Sequence, residues 1–155
     1  MSELFKHRNL PHLLLSARET LMLRFRPLLL STKLNEQQWR VLRRLDEVGY
    51  SDAARLAQQT QILPPSLTRM LRSLEEAGLI SRTSDQRDLR RQIIRLSPEG
   101  YKMVAQLTPK IEAIYEQIEQ EIGLELMNSL YQNLDIMSKK LRPHSNPASL
   151  RDTPL

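Results

Sequence analysis

Cysteine is absent from the 155 residues, which excludes disulfides and thiolate metal ligands. Glycine is scarce, with four residues, and aromatic side chains make up only 5%. That poverty argues against a β-sandwich and for a mostly α chain. No apolar run approaches the ~20 residues that span a bilayer, and the N-terminus lacks the apolar core of a secretory signal, so a cytoplasmic protein without membrane contact is expected. The three histidines, His7, His12 and His144, lie in or near the termini, with no pair at ligand spacing. Gly49, Gly78, Gly100 and Gly123 each fall where a helix or turn is punctuated, which leaves none for a phosphate-cradling loop. Glu75 and Glu76 are adjacent and diverge by about 100° on a helix, too far to share a proton. Glu112, Glu116 and Glu119 share a helix face but have no partnering histidine, and they read as exposed carboxylates. No catalytic residue, metal site or cofactor is assigned, and the chain is not expected to be an enzyme.

What is present is positive charge in a particular place. The formal charge is +5 and the pI about 9.8, in a composition (40% hydrophobic, 26% charged) ordinary for a globular protein. Arginines crowd the stretch from Arg40 to Arg95, whereas Glu112, Glu116, Glu119, Glu121 and Glu125 dominate a later segment. One part of the chain is therefore suited to a polyanion and another is not.

The stretch from Pro64 to Ser97 carries the functional signal. Leu67, Met70, Leu71 and Leu74 recur at three- and four-residue spacing and form one face of a helix. The opposite face holds Pro65, Ser66, Thr68, Arg69 and Arg72, with Ser73. Such a face fits the major groove, where arginine pairs with guanine edges and hydroxyls reach bases or phosphates. Pro64 and Pro65 suit a first turn, and Gly78 a stop. Leu79–Thr83 and Gln92–Leu96 then read as two short strands joined by SDQRDLRR, a loop that can lay Arg87, Arg90 and Arg91 along phosphates or into the minor groove. A solvated turn is the bland alternative for that loop alone. Coming directly after a groove-facing helix, it reads as the wing of a winged helix.

The rest of the chain supports this reading. A helix is expected over Leu10–Leu30, kinked or ended at Pro27, with an apolar stripe too wide for one neighbour. Arg18 sits within that stripe, either as a solvated arginine with its stem on apolar surface or as an anchor for an anionic ligand. Asn35 and Gln38 form a capping box for a second helix that buries Trp39, Leu42, Leu45 and Val48 and ends at Gly49. Ser51 or Asp52 caps a third, Asp52–Gln59, with Ala53, Leu56 and Ala57 inward. With the Pro64 helix it makes a helix-turn-helix. Ser97-Pro98-Glu99-Gly100 caps a long helix bent at Pro109 and broken at Gly123, and a last helix runs over Leu124–Leu141. The expected architecture is a mostly α, winged helix-turn-helix DNA-binding lobe (34–97) with a two-stranded wing. N- and C-terminal dimerisation helices (10–30 plus 98–141) and a flexible tail (142–155) complete it.

The run D-x-R-R-x-x-I-x-L-S, Asp88 to Ser97, followed by Pro98-Glu99-Gly100, resembles the wing signature of the MarR family of bacterial transcription regulators. The resemblance covers nearly the whole chain. Leu15–Glu19 with Phe25-Arg26-Pro27, Leu34–Arg40, and Ile62–Thr68 are similar to the branch of the family that governs homoprotocatechuate (4-hydroxyphenylacetate) degradation. The resemblance implies a homodimer on a pseudo-palindromic operator in double-stranded DNA, usually repressing. It implies that Asp88 orients Arg90 and that Arg90 enters the minor groove. It also implies release by a small phenolic aromatic carboxylate effector bound near Arg18 and Trp39, although plain core packing is the alternative for Trp39. Arg69 stands where that branch has a small residue, which leaves the operator sequence open. A winged-helix protein-interaction module without specific DNA binding is the rival reading.

Overall fold

The structure, a computed structural model, describes residues 4–142. The tail expected beyond Arg142 lies outside the described residues. In chain order the elements are α1 (Leu10–Ser31), α2 (Glu36–Val48), α3 (Ala53–Thr60), α4 (Pro64–Glu76), β1 (Ile80–Ser84), β2 (Gln92–Leu96), α5 (Pro98–Ile122) and α6 (Leu124–Leu141). No described helix is long and apolar enough to cross a membrane.

Caps set most of the boundaries. The Asn35 side chain accepts the Gln38 N–H at 2.8 Å while the Gln38 side chain accepts the Asn35 N–H at 2.9 Å, closing the expected capping box. Asp52 caps α3 by accepting the Arg55 N–H at 2.9 Å. Gly49, Gly78 and Gly123 end helices or separate them at positive φ, where a Cβ would be strained. Pro27, expected to kink or end α1, does not end it: the helix runs on to Ser31. Leu29, just past the proline, is 2% exposed. Its burial offsets the backbone hydrogen bond that proline removes.

The chain forms two compact units, one reaching to Ile114 and the other beginning at Tyr115. The core of the first unites Val41, Leu42 and Leu45 of α2, Leu56 of α3, and the Leu67/Met70/Leu71/Leu74 face of α4. Ile80, Ile94 and Leu96 of the wing and Val104 and Leu107 of α5 join it. Three inward assignments change. Ala53 is exposed, because capping by Asp52 turns the first residue of α3 outward. Trp39 and Val48 are half-buried, and Val41 takes the deep position on α2.

β1 and β2 pair antiparallel, with Ile80 opposite Leu96 and Ser84 opposite Gln92. Ser51 adds a further rung on the other side of β2: its N–H donates to the Ile94 carbonyl at 3.0 Å and the Ile94 N–H to the Ser51 carbonyl at 2.8 Å. Ser51 therefore serves the sheet and leaves the capping of α3 to Asp52. At the far end of the hairpin, Ser97 Oγ accepts the Gly100 N–H at 3.0 Å and so caps α5. Gly100 lies at the start of a helix, as expected, inside the first turn of α5, where a Cβ would stand 2.0 Å from the Leu79 carbonyl oxygen.

Candidate nucleic-acid interface

α3 and α4 are joined by Gln61–Leu63, with Gln61 in the left-handed region at φ 55°. Burial of Leu67, Met70, Leu71 and Leu74 fixes the rotation of α4, and Pro65, Thr68, Arg69, Arg72 and Ser73 are exposed as a consequence, with Ser66 half-exposed. The prolines at the first two positions remove two N–H groups that would otherwise lack a partner. The Ser66 N–H remains at the positive end of the helix, the end that attracts phosphate. The Thr68 hydroxyl donates to the Pro64 carbonyl at 3.0 Å and keeps its lone pairs outward. Arg72 pairs with Glu76 at 3.1 Å, one turn on, in an arrangement so exposed that it costs little to exchange for a phosphate. Arg69 has no ion pair among the described residues.

The wing is tied down at two points, one within β1 and one at the loop end of β2. Arg82 of β1 donates through Nε to Glu75 at 2.6 Å and holds the hairpin against the end of α4. Arg91 donates through Nε to Asp52 Oδ2 at 3.0 Å, with a second, shorter contact from Nη2. Asp52 thus caps α3 with one oxygen and pins the wing with the other. The Arg55 N–H, and after it Arg91, hold its carboxyl below the usual aspartate range.

The wing loop is shaped by two carboxylates acting on backbone. Asp85 accepts the Arg87 N–H at 2.9 Å and Asp88 the Arg90 N–H at 3.0 Å, both two residues ahead. Asp88 therefore orients Arg90 through its backbone and leaves the guanidinium unengaged. Neither Arg87 nor Arg90 has a side-chain ion pair among the described residues, and both are exposed.

The structure brings several of the expected residues together. Thr68, Asp88, Arg90 and Arg91 line one cleft of about 610 Å³ between α4, the start of α3 and the wing. Arg87 lines the other side of the hairpin. Arg18 and Trp39 line neither of these clefts. Arg18 pairs with Glu19 at 3.1 Å and more closely with Glu36, which also takes Arg40 at 2.9 Å. Trp39 lines a small cleft of about 190 Å³ with Arg43, Val104, Thr108 and Ile111. The wing-anchoring role of Asp52 and the Glu75–Arg82 clamp carry no local sequence signal. Among the described residues, no cluster of histidine and carboxylate side chains could hold a metal.

A helix-turn-helix followed by an anchored basic hairpin defines a winged-helix DNA-binding domain. Residues 34–91 match the MarR family. The chain is 41% identical over 122 residues to the HTH-type transcriptional regulator FarR of Neisseria gonorrhoeae, covering 79% of this chain and 84% of that protein. It is 40% identical over 124 residues to the homoprotocatechuate degradative operon repressor of Escherichia coli, covering 80% and 84%. The structure also resembles that of NadR in complex with 4-hydroxyphenylacetate, with a TM-score of 0.75 at 38% identity, covering 81% of this chain and 92% of that one. The chain belongs to the MarR family of transcriptional regulators.

Proposed function

We propose that the chain is a repressor that binds a pseudo-palindromic operator as a homodimer and is released by a phenolic aromatic carboxylate. The operon is one of aromatic-acid catabolism, with 4-hydroxyphenylacetate or homoprotocatechuate as the leading substrate. The observation that carries this reading is the exposed polar face of α4, which shares one cleft with Arg90, whose guanidinium has no ion pair among the described residues. Pro65, Ser66, Thr68, Arg69 and Arg72 read the major groove; Arg87 and Arg90 take phosphates and the minor groove. Arg91 and Asp88 act mainly by holding the wing in place. Relatives named as a homoprotocatechuate operon repressor and as a 4-hydroxyphenylacetate complex support the choice of effector class.

Dimerisation is supported by apolar surface left uncovered within each unit. α1 exposes Leu10, Leu13, Leu15, Leu21 and Leu23, and α6 exposes Leu126, Leu130, Leu134 and Ile136. A second copy would bury such surface.

For the effector, Arg18 holds the carboxylate by exchanging it for Glu36, and Trp39 packs beside the ring. The Arg18 side chain is 42% exposed, so an incoming anion can reach it. Release requires that the effector favour the form that does not fit the operator; a tenfold preference corresponds to ~1.4 kcal/mol.

The test is a titration of the chain against a palindromic duplex selected from a random library and a scrambled duplex, then with phenylacetates, benzoates and cinnamates. Preference for the palindrome and displacement by one acid class support the reading. Equal binding to both duplexes favours an interaction module instead. Displacement that survives Arg18→Ala removes Arg18 from the effector site and leaves the DNA reading intact.

A further inference from the structure

The two faces of the wing are chemically different, and the difference follows from strand parity. Arg82, Gln92 and Ile94 line the cleft shared with α4, whereas Thr83, Ile93 and Arg95 line a second cleft behind the hairpin. Alternate residues of a strand point to opposite faces, so this second cleft lies on the side of the wing turned away from the recognition helix.

That rear face is cationic. Arg95 lies over the Tyr50 ring, its guanidinium carbon 5.1 Å from the centroid, within cation–π range. Arg55 of α3 and Arg87 of the wing loop line the same cleft. None of these three guanidinium groups has an ion pair among the described residues, whereas Arg91, which lines both clefts, is paired with Asp52. The cleft's one carboxylate, Asp85, is turned to backbone by the Arg87 N–H at 2.9 Å.

A hairpin inserted in a minor groove has a sugar–phosphate strand on each side. With the wing in a minor groove, its front, which shares a cleft with α4, would meet the strand bordering the major groove, and its rear the strand beyond. We infer that Arg55 and Arg95, with Tyr50 as the stacking platform, form a second phosphate-binding site that grips duplex DNA flanking each half-site, outside the bases read by α4. This rests on the DNA-binding reading above and extends the footprint past the wing. Its contacts carry no base information, so they add affinity and salt dependence without sequence preference.

The experiment uses the full chain and the selected palindrome at two lengths, one ending at the outermost selected base pair and one carrying a few further base pairs on each side. Wild type is expected to bind the longer duplex more tightly and with a steeper salt dependence. The Arg55→Ala/Arg95→Ala variant should bind the short duplex as wild type does and lose the advantage of the long one. Its slope of log K against log salt should fall by about 0.9 per lost phosphate contact, roughly 3.5-fold in affinity for each contact over a fourfold rise in salt. The Arg55→Lys/Arg95→Lys variant should keep most of that slope, which a merely structural role would not predict. If wild type binds both lengths alike, or if the alanine variant keeps the full slope, or if lysine fails to restore it, the inference is overturned while the DNA reading stands. If no duplex is selected at all, both fall.

Discussion

Replacing Asp52 by asparagine and by alanine separates its two jobs. One oxygen caps α3 through the Arg55 N–H at 2.9 Å, and the other receives Arg91 at 3.0 Å. Asparagine is as good an N-cap as aspartate, so Asp52→Asn keeps the first interaction and removes the charge from the second. The Asp52 side chain is 13% exposed and that of Arg91 47%, so the pair lies between the surface and buried cases. A cost of about 1 kcal/mol is expected for its loss. Asp52→Ala loses the cap as well, adding about 1 kcal/mol. Urea unfolding at neutral pH should therefore rank wild type above Asp52→Asn above Asp52→Ala. DNA affinity should drop already in Asp52→Asn, because the wing loses its pin. The pH dependence has a definite sign. The folded carboxyl is held below its usual range, so its contribution is full above the unfolded value of about 3.9 and is lost as pH falls through the folded value. The gap between wild type and Asp52→Asn should close in acid and stay constant through neutrality. Wild-type stability and wild-type DNA binding in Asp52→Asn would refute the anchoring role.

Gly100→Ala places a Cβ 2.0 Å from the Leu79 carbonyl; the backbone must move, at a cost of about 1–3 kcal/mol, and an unchanged melting temperature would show that α5 relaxes freely there. Leu74→Ala empties a site with 0% exposure on the buried face of α4. It should cost about 2–5 kcal/mol in denaturant unfolding, and a loss below about 1 kcal/mol would mean that the face is not packed as described. Arg90→Ala, in contrast, should leave stability within about 0.5 kcal/mol. It should weaken operator binding by roughly 1–3 kcal/mol with a flatter salt dependence, and unchanged affinity across salt would remove the wing tip from the interface.

Much of this architecture is legible in the residues because local chemistry writes it there. The capping box at Asn35 and Gln38, the proline start of α4 and the glycines at positive φ all act within a few positions of themselves. The apolar repeat of α4 likewise fixes which of its side chains face outward. What stays hidden is long-range. Arg91 finds Asp52 and Ser51 finds Ile94 across intervening helices, and neither pairing leaves a periodic trace. Gly100 reads as part of a helix cap, but the Leu79 carbonyl that leaves no room for a Cβ there comes from a distant position in the chain. Pro27 obeys its local rule in losing a hydrogen bond, yet the buried Leu29 beyond it carries the helix on. Arg18 marks a polar interruption in the stripe of α1, but its partner Glu36 lies on another helix and shows only in three dimensions.

The Ser51 rung also divides the wing in time. With β1 on one side and Ser51 on the other, β2 is an inner strand at Ile94 and an edge strand near Gln92. The Ile94 amide exchanges with solvent only when the base of the hairpin leaves the core, an event close to global unfolding. Amides toward the loop exchange through fraying that leaves α3 and α4 in place. The hairpin therefore has a root fixed at Ile94 and a second, side-chain tie at Arg91, which leaves residues 86–90 as its compliant end. Its arginine-bearing loop can follow the local width of a minor groove without disturbing the helix that reads the bases.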